Sequence, residues 1–194
     1  MRTWFKMLAA LLGGLTVGYG LAHRERVAVI ERLDRQRRID YRQTEALLAL
    51  RAHLPLRAPL PPMRGYAISP DFAVILMELI RDYHPQHIVE LGCGVSTLIG
   101  GYANEVYNPD GYITSLEHQP AFAQFTRDNL DLHELDKFAT VVDAPLHRLT
   151  HLRGWRGHWY DRAALPLETP IELLVIDGPP QYRNPSRLAR YPAL

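Results

Sequence analysis

The fold is decided by one short stretch of the chain, Val89-Glu90-Leu91-Gly92-Cys93-Gly94-Val95-Ser96-Thr97. An apolar run that ends in an acid enters a Gly-x-Gly turn, and we expect Ser96 or Thr97 to cap the helix that follows. Gly92 and Gly94 allow the backbone to come close to a ligand where a side chain would collide. The first N–H groups of the helix favour an anionic group. The same stretch is also typical of a plain tight turn between a strand and a helix.

The residues on both sides of this turn alternate short apolar strands with helices. The predicted strands are 87–91, 112–117, 139–143 and 171–176, and helices are predicted at 69–82, 96–107 and 120–130. Strands that alternate with helices need crossover connections, which produce a parallel sheet. We therefore expect an α/β fold, a Rossmann-like parallel sheet with flanking helices and the strand order 3-2-1-4, whose later strands are missing from this sequence.

Each predicted strand ends in or beside an acidic residue. In chain order these acids are Glu90, Glu117, Asp143 and Asp177. The carboxyl ends of parallel strands meet at one edge of the sheet, where open α/β sheets bind their ligands. Glu117 stands where an acid can accept hydrogen bonds from both hydroxyls of a ribose, and Asp143 stands where a carboxylate can meet an adenine amino group. Each acid alone is unremarkable, but together they predict four carboxylates along a nucleoside site.

These motifs resemble those of the class I S-adenosylmethionine (SAM)-dependent methyltransferases. The similarity is to the bacterial group with a Glu-Leu-Gly-x-Gly-x-Ser-Thr first motif and an Asp-Gly-Pro-Pro fourth motif, and it covers roughly residues 69–194. The resemblance implies SAM as the cofactor. Members of this group continue past an Arg-Tyr-Pro-Ala-Leu stretch, here 190–194, into a helix and three further strands. We therefore expect this sequence to be a C-terminally incomplete fragment.

The resemblance also assigns roles to individual residues. It implies a cofactor-binding set made of Glu90, Gly92, Gly94, Ser96, Glu117 and Asp143. Within this set, Glu117 would bind the ribose hydroxyls and Asp143 would lie near adenine. Ser96 occupies the position where such turns usually hold a third glycine. Asp177 would face the transferred methyl group or the substrate, and it is the candidate catalytic base for a hydroxyl acceptor.

No metal site is expected. His147 and His151 have the i, i+4 spacing of a metal-binding pair, but no acid lies at the spacing of known zinc motifs, so a solvated helix face explains them better. Trp155, Trp159 and Tyr160 belong to an aromatic cluster that could line an acceptor pocket or cap the sheet, and we favour the cap.

The amino-terminal part of the chain differs from the rest. Residues 1–22 contain a long uncharged stretch and precede many arginines, which predicts a single-pass anchor in the inner (cytoplasmic) membrane with the catalytic domain in the cytoplasm. A cleaved signal peptide and a cytoplasmic protein are the alternatives. Residues 23–54 are predicted to form a helical stalk, 55–68 a Pro-rich linker and 69–194 the SAM-binding domain. The anchor and the stalk are candidate surfaces for a homo-oligomer.

Composition and charge limit the classes of function. The formal net charge is +1, which gives little attraction to nucleic acid, so the expected acceptor is a small molecule, a sugar or a lipid-linked compound. The single cysteine, Cys93, excludes an intramolecular disulfide and is expected to be a packed residue rather than a nucleophile. Two alternatives stay open: an NAD(P)-binding oxidoreductase or epimerase, and a membrane-tethered nucleotide-binding module without catalytic activity.

Overall fold

The chain divides into two compact units, Met1–Thr44 and Glu45–Leu194. A computed structural model describes residues 2–63, 65–149, 157–165 and 168–180, with side chains from residue 23 onward. The first unit consists of the amino-terminal part of one long helix, α1 (Arg2–His53). The second unit contains the end of α1 and the other described elements.

The second unit alternates helices with strands and confirms the predicted α/β fold. Its other helices are α2 (Pro70–Tyr83), α3 (Val95–Tyr107) and α4 (Pro120–Leu132). Its strands are β1 (His87–Leu91), β2 (Tyr112–Glu117), β3 (Ala139–Asp143), β4 (Leu146–Leu149), β5 (Gly157–Tyr160) and β6 (Leu173–Ile176). A 3-10 turn, Arg162–Ala164, precedes β6.

Four parallel strands form the central sheet in the order β3-β2-β1-β6. This confirms the predicted order 3-2-1-4, with β6 as the fourth predicted strand. The register pairs Glu117 of β2 with Asp143 of β3, and Leu91 of β1 with Ile176 of β6. The carboxyl ends of all four strands therefore finish at one edge, and Asp177 follows β6 at that edge.

Different elements cover the two faces of the sheet. Helices α2, α3 and α4 cover one face, on which Ile88, Ile113 and Val175 are buried. The antiparallel hairpin β4–β5 packs on the other face, against Val89 and Leu91. Because both faces are buried, apolar residues occupy adjacent positions in the strands, as Ile88 and Val89 do in β1 and Val141 and Val142 do in β3.

The carboxyl-terminal end of α1 belongs to the core of the second unit. Leu50 and Leu54 are buried in the same cluster as residues of α2 and α3. Just after the helix, Arg57 donates hydrogen bonds to the Glu105 carboxylate and to the carbonyl oxygen of His133, both at 3.0 Å. These contacts fix the start of the Pro-rich segment to the α/β domain.

The predicted membrane anchor, and with it the inner-membrane location and the membrane contact, is wrong. Helix α1 continues through residues 2–22 without a break, but none of the described helices combines the length and the apolar character that crossing a membrane requires. The glycines of this stretch add almost no apolar surface, and charged residues lie close to both of its ends.

Candidate active site at the carboxyl ends of the strands

Two glycines shape the turn between β1 and α3, and they serve different purposes. Gly92 has φ +96° and Gly94 has φ +147°, a region that residues with side chains rarely adopt. A Cβ on Gly92 would lie 3.1 Å from the backbone nitrogen of Gly178, so this glycine lets two loops approach each other. A Cβ on Gly94 would meet nothing within 4 Å. The space beside Gly94 is therefore open, whereas that beside Gly92 is filled by the loop that contains Gly178.

Glu90 lies below this turn and is fully buried. The hydroxyl of Thr97 donates a hydrogen bond to its Oε2 at 2.6 Å, and the hydroxyl of Ser115 donates to the same oxygen. Side chains alternate along a strand, and that of Glu90, next to the last residue of β1, points to the face that α3 covers. Its contact with a cofactor stays a prediction.

The environment of Glu90 favours its protonated form. Burial raises the pKa of Glu90 to about 7, although the hydroxyls of Ser115, Ser96 and Thr97 oppose this shift. An acid with a raised pKa holds its proton more tightly in the folded state than in the unfolded state. Its contribution to stability is therefore present at low pH and is lost as the pH rises from the ordinary value of 4.5 to about 7.

We expect the Glu90→Gln variant to lack this pH dependence, because the amide oxygen still accepts the two hydroxyl hydrogen bonds without being ionised at any pH. Relative to the variant, the wild type should lose about 3 kcal/mol of stability across this pH range. Chemical denaturation of both proteins from about pH 4 to about pH 8 measures the difference. Parallel pH curves for the two proteins would show that Glu90 is not a buried, protonated acid.

The start of α3 differs from the predicted capping. The N-cap residue is Gly94, not Ser96 or Thr97. The hydroxyl of Thr97 accepts a hydrogen bond from the N–H of Gly94 at 3.1 Å while it donates to Glu90, so it stabilises the turn from within the helix. Ser96 is buried in the first turn. Its place in the cofactor-binding set stays a prediction.

Glu117 ends β2 directly beside the glycine turn. Its Oε1 accepts hydrogen bonds from the backbone N–H groups of His118 and Gln119, both at 2.8 Å, and its Oε2 accepts one from the N–H of Cys93 at 3.3 Å. Burial alone would raise the pKa of Glu117, but the His118 side chain, 2.9 Å away, and the backbone donors outweigh burial and lower it. The carboxylate is therefore ionised and fixed next to the turn, with further lone pairs for a ligand.

The other two acids lie farther along the same edge. Asp143 is exposed and accepts a hydrogen bond from Arg127 Nη2 at 2.9 Å. The backbone N–H of Asp177 donates to the carbonyl oxygen of Leu91 at 3.0 Å, which fixes the loop after β6 to the end of β1. The structure thus brings Glu117, Asp143 and Asp177 to one edge, while their roles toward a ligand stay predictions.

Residues 146–160 include a hairpin that the sequence analysis did not predict. His147 lies in β4, so the expected helix face is wrong for this residue, while His151 and Trp155 lie outside the described residues. Trp159 and Tyr160 of β5 are buried against the sheet, in the capping position that we expected of the aromatic cluster. Tyr160 is the last residue of β5, and its ring lies against His118, which follows Glu117 at the sheet edge.

Two polar residues beside the acids were not among the predicted site residues. The rings of His118 and Tyr160 meet edge-on, with their centroids 6.2 Å apart. His118 follows the strand-end acid Glu117, and this adjacency is a signal that could have identified it. The sequence marks Tyr160 only as a member of the aromatic cluster, and its place beside His118 becomes clear only from the hairpin.

Cys93, between the two glycines, is a packed residue as expected. Its Sγ lies 3.1 Å from the hydroxyl oxygen of Thr126. Burial raises the pKa of the thiol far above its ordinary value, which keeps it protonated and unreactive. Within the described ranges, no group of three His, Cys, Asp or Glu side chains is placed to hold a metal ion.

Comparison with known proteins yields partial relatives. No family model matches the sequence. The chain is 35% identical over 86 residues to the protein-L-isoaspartate O-methyltransferase of Methanopyrus kandleri, and this match covers 44% of the chain and 38% of that protein. The chain thus spans well under half the length of this curated relative.

Similar solved structures include the O-methyltransferase from Bacillus cereus in complex with SAH, with 23% identity and a TM-score of 0.38 over 52% of this chain and 42% of that chain. They also include the O-methyltransferase TomG from Streptomyces achromogenes in complex with SAM, with 18% identity and a TM-score of 0.42 over 58% of this chain and 46% of that chain. All three relatives are methyltransferases. Each similarity covers less than half of the relative.

Proposed function

We propose that the second unit is the cofactor-binding part of a SAM-dependent methyltransferase that acts on a small-molecule acceptor. The observation that carries this proposal is the contact between Cys93 N–H and Glu117 Oε2, at 3.3 Å. It fixes an ionised carboxylate beside the open space at Gly94, at the sheet edge where open α/β sheets bind ligands. The methyltransferase relatives support the same proposal.

The residues at this edge fit the two ends of SAM. An ionised carboxylate such as Glu117 can accept hydrogen bonds from two neighbouring ribose hydroxyls, and the open space at Gly94, before the N-terminus of α3, suits the methionyl carboxylate. When bound, SAM supplies a methyl group on a positively charged sulfur. The negative charges of Glu117 and Asp177 favour a cationic ligand. The proposed cofactor-binding set is Glu90, Gly92, Gly94, Ser96, Glu117 and Asp143.

The contribution of the chain to methyl transfer is to bind, to orient and to exclude water. Asp177 is the proposed base that takes the proton from a hydroxyl acceptor. Its backbone N–H is held by the Leu91 carbonyl oxygen, so its position is fixed relative to the glycine turn. Rigid placement of this kind is what an in-line displacement requires.

Isothermal titration calorimetry with SAM, S-adenosylhomocysteine (SAH) and NADH tests the proposal. We expect SAM and SAH to bind and NADH not to bind at the same concentrations. A dinucleotide-binding turn needs a third glycine where this chain has Thr97, whose hydroxyl is engaged with Glu90. Binding of NADH alone would favour an oxidoreductase, and binding of none of the three would contradict the proposal.

A further inference from the structure

The hydroxyl of Tyr160 is buried at the sheet edge without a hydrogen-bond partner. Tyr160 is 3% exposed, and no group in the described part of the chain forms a hydrogen bond with its hydroxyl. The ring packs edge-on against Trp159, with centroids 5.7 Å apart, and a phenylalanine would pack in the same way. Because an unpaired buried hydroxyl lowers stability, its presence needs an explanation other than packing.

The hydroxyl lies where the loops after β1 and β6 meet. A Cβ on Gly178 would lie 2.0 Å from the hydroxyl oxygen, so only glycine leaves room for it. The same Gly178 is the residue that Gly92 approaches. Burial, together with the negative charges of Glu117 and other nearby acids, raises the pKa of Tyr160, so that it remains a hydrogen-bond donor at neutral pH.

His118 is a second polar side chain with unused hydrogen-bonding capacity at this place. Its side chain is 9% exposed, and its Nε2 has no hydrogen-bond partner among the residues that the structure describes. Its Nδ1 lies 2.9 Å from the Glu117 carboxylate, and its ring contacts Tyr160. Two buried polar groups from separate elements therefore flank the acid to which the ribose is assigned.

We propose that Tyr160 is a further ligand-binding residue, whose hydroxyl donates a hydrogen bond to the bound adenosyl cofactor. The hairpin β4–β5 is then part of the cofactor site and not only a cover for the sheet. This inference rests on the proposed function, which supplies the class of ligand. Because Gly178 closes off the hydroxyl in the structure, the contact requires a small shift of the Gly178 loop or of the hairpin.

The Tyr160→Phe variant tests this proposal, with Tyr102→Phe as its matched control. Tyr102 is also fully buried, but its hydroxyl accepts from Arg57 N–H at 2.8 Å and lies 2.7 Å from His133 Nδ1. Tyr160→Phe should raise the Kd for SAH by about three- to tenfold and leave the melting temperature unchanged or higher. Tyr102→Phe should lower the melting temperature and leave the Kd unchanged.

Calorimetry with SAH and thermal unfolding without ligand separate the outcomes. If the wild type binds SAH and Tyr160→Phe binds it equally well, the role of Tyr160 is refuted and the proposed function stands. If Tyr160→Phe loses stability as Tyr102→Phe does, the hydroxyl is structural, which also refutes it. If the wild type does not bind SAH, the proposed function itself fails, and the inference fails with it.

Discussion

The Glu117→Ala variant should bind SAH roughly 10 to 100 times more weakly than the wild type, which is the usual loss when hydrogen bonds to a charged group are removed. The carboxylate is ionised, since contacts with His118 and with backbone N–H groups lower its pKa. It is also held at the glycine turn by the N–H of Cys93. The carboxylate can therefore accept hydrogen bonds from the ribose hydroxyls without first losing side-chain freedom, because backbone N–H groups already hold it in place. Calorimetric titration of both proteins with SAH measures the effect.

Two controls separate binding from folding in this experiment. Glu117→Gln keeps the size of the side chain and one oxygen acceptor, so it should bind SAH with intermediate affinity. Asp128→Asn removes an exposed carboxylate on α4, where Asp128 accepts a hydrogen bond from Gln124, and it should bind as the wild type does. The melting temperature of each variant shows whether it is folded. A folded Glu117→Ala variant with wild-type affinity would remove Glu117 from the site.

The Gly92→Ala variant should lose about 2–4 kcal/mol of stability, whereas Gly94→Ala should lose about 1–2 kcal/mol. Both alanines would have to adopt a positive φ, which is a cost that the two variants share. The Cβ at residue 92 would in addition press on the backbone nitrogen of Gly178, while that at residue 94 would enter open space. Chemical denaturation of the two variants measures the difference.

Among the variants that remain folded, the loss of SAH affinity should follow the opposite order to the loss of stability, with Gly94→Ala affected more than Gly92→Ala. The Cβ of Gly94→Ala occupies the space that we assign to the cofactor, so this variant should lose SAH affinity out of proportion to its loss of stability. If Gly94→Ala kept both its stability and its affinity for SAH, the open space beside Gly94 would not be the binding site.

The parallel sheet could be predicted from the sequence because its strands are short, apolar and separated by clear turn residues. The strands that contain Ile88, Ile113 and Val141 were placed correctly, and their parallel pairing followed from the crossover connections. The order of the strands is that of the Rossmann-like sheet that was expected. The acids Glu117 and Asp143 could be placed at one edge for the same reason. In a parallel sheet, all strands run in the same direction, so the residues at their carboxyl ends lie at the same edge of the sheet.

The hairpin and the orientation of Glu90 could not be predicted in the same way. The pattern of Leu146–Leu149, apolar at both ends and polar between them, fits one turn of a helix as well as a strand. Only pairing with Gly157–Tyr160 decides between the two, and that contact is not local. Glu90 is next to the last residue of β1. Because side chains alternate along a strand, its side chain lies on the opposite face from that of Leu91, where Thr97 and Ser115 donate hydrogen bonds to it.

The first turn of α3 and the amino-terminal helix show two further limits. Ser96 and Thr97 have the side chains of capping residues, but the positive φ of Gly94 starts the helix earlier and places Thr97 inside it. In residues 1–22, the long uncharged stretch resembled a membrane span, but none of the described helices is long and apolar enough to cross a membrane. In both cases the pattern of residue types was not sufficient. The backbone conformation of Gly94 determines where α3 begins, and the apolar character of a whole helix determines whether it can cross a membrane.

A crystal structure of the protein with bound SAH tests the central assignment most directly. The account predicts that the ribose hydroxyls lie within hydrogen-bond distance of the Glu117 carboxylate and that the amino-acid end of the ligand lies over Gly94. A nucleoside bound away from the carboxyl ends of β1 and β2, with Glu117 in contact only with Cys93, His118 and Gln119, would contradict it.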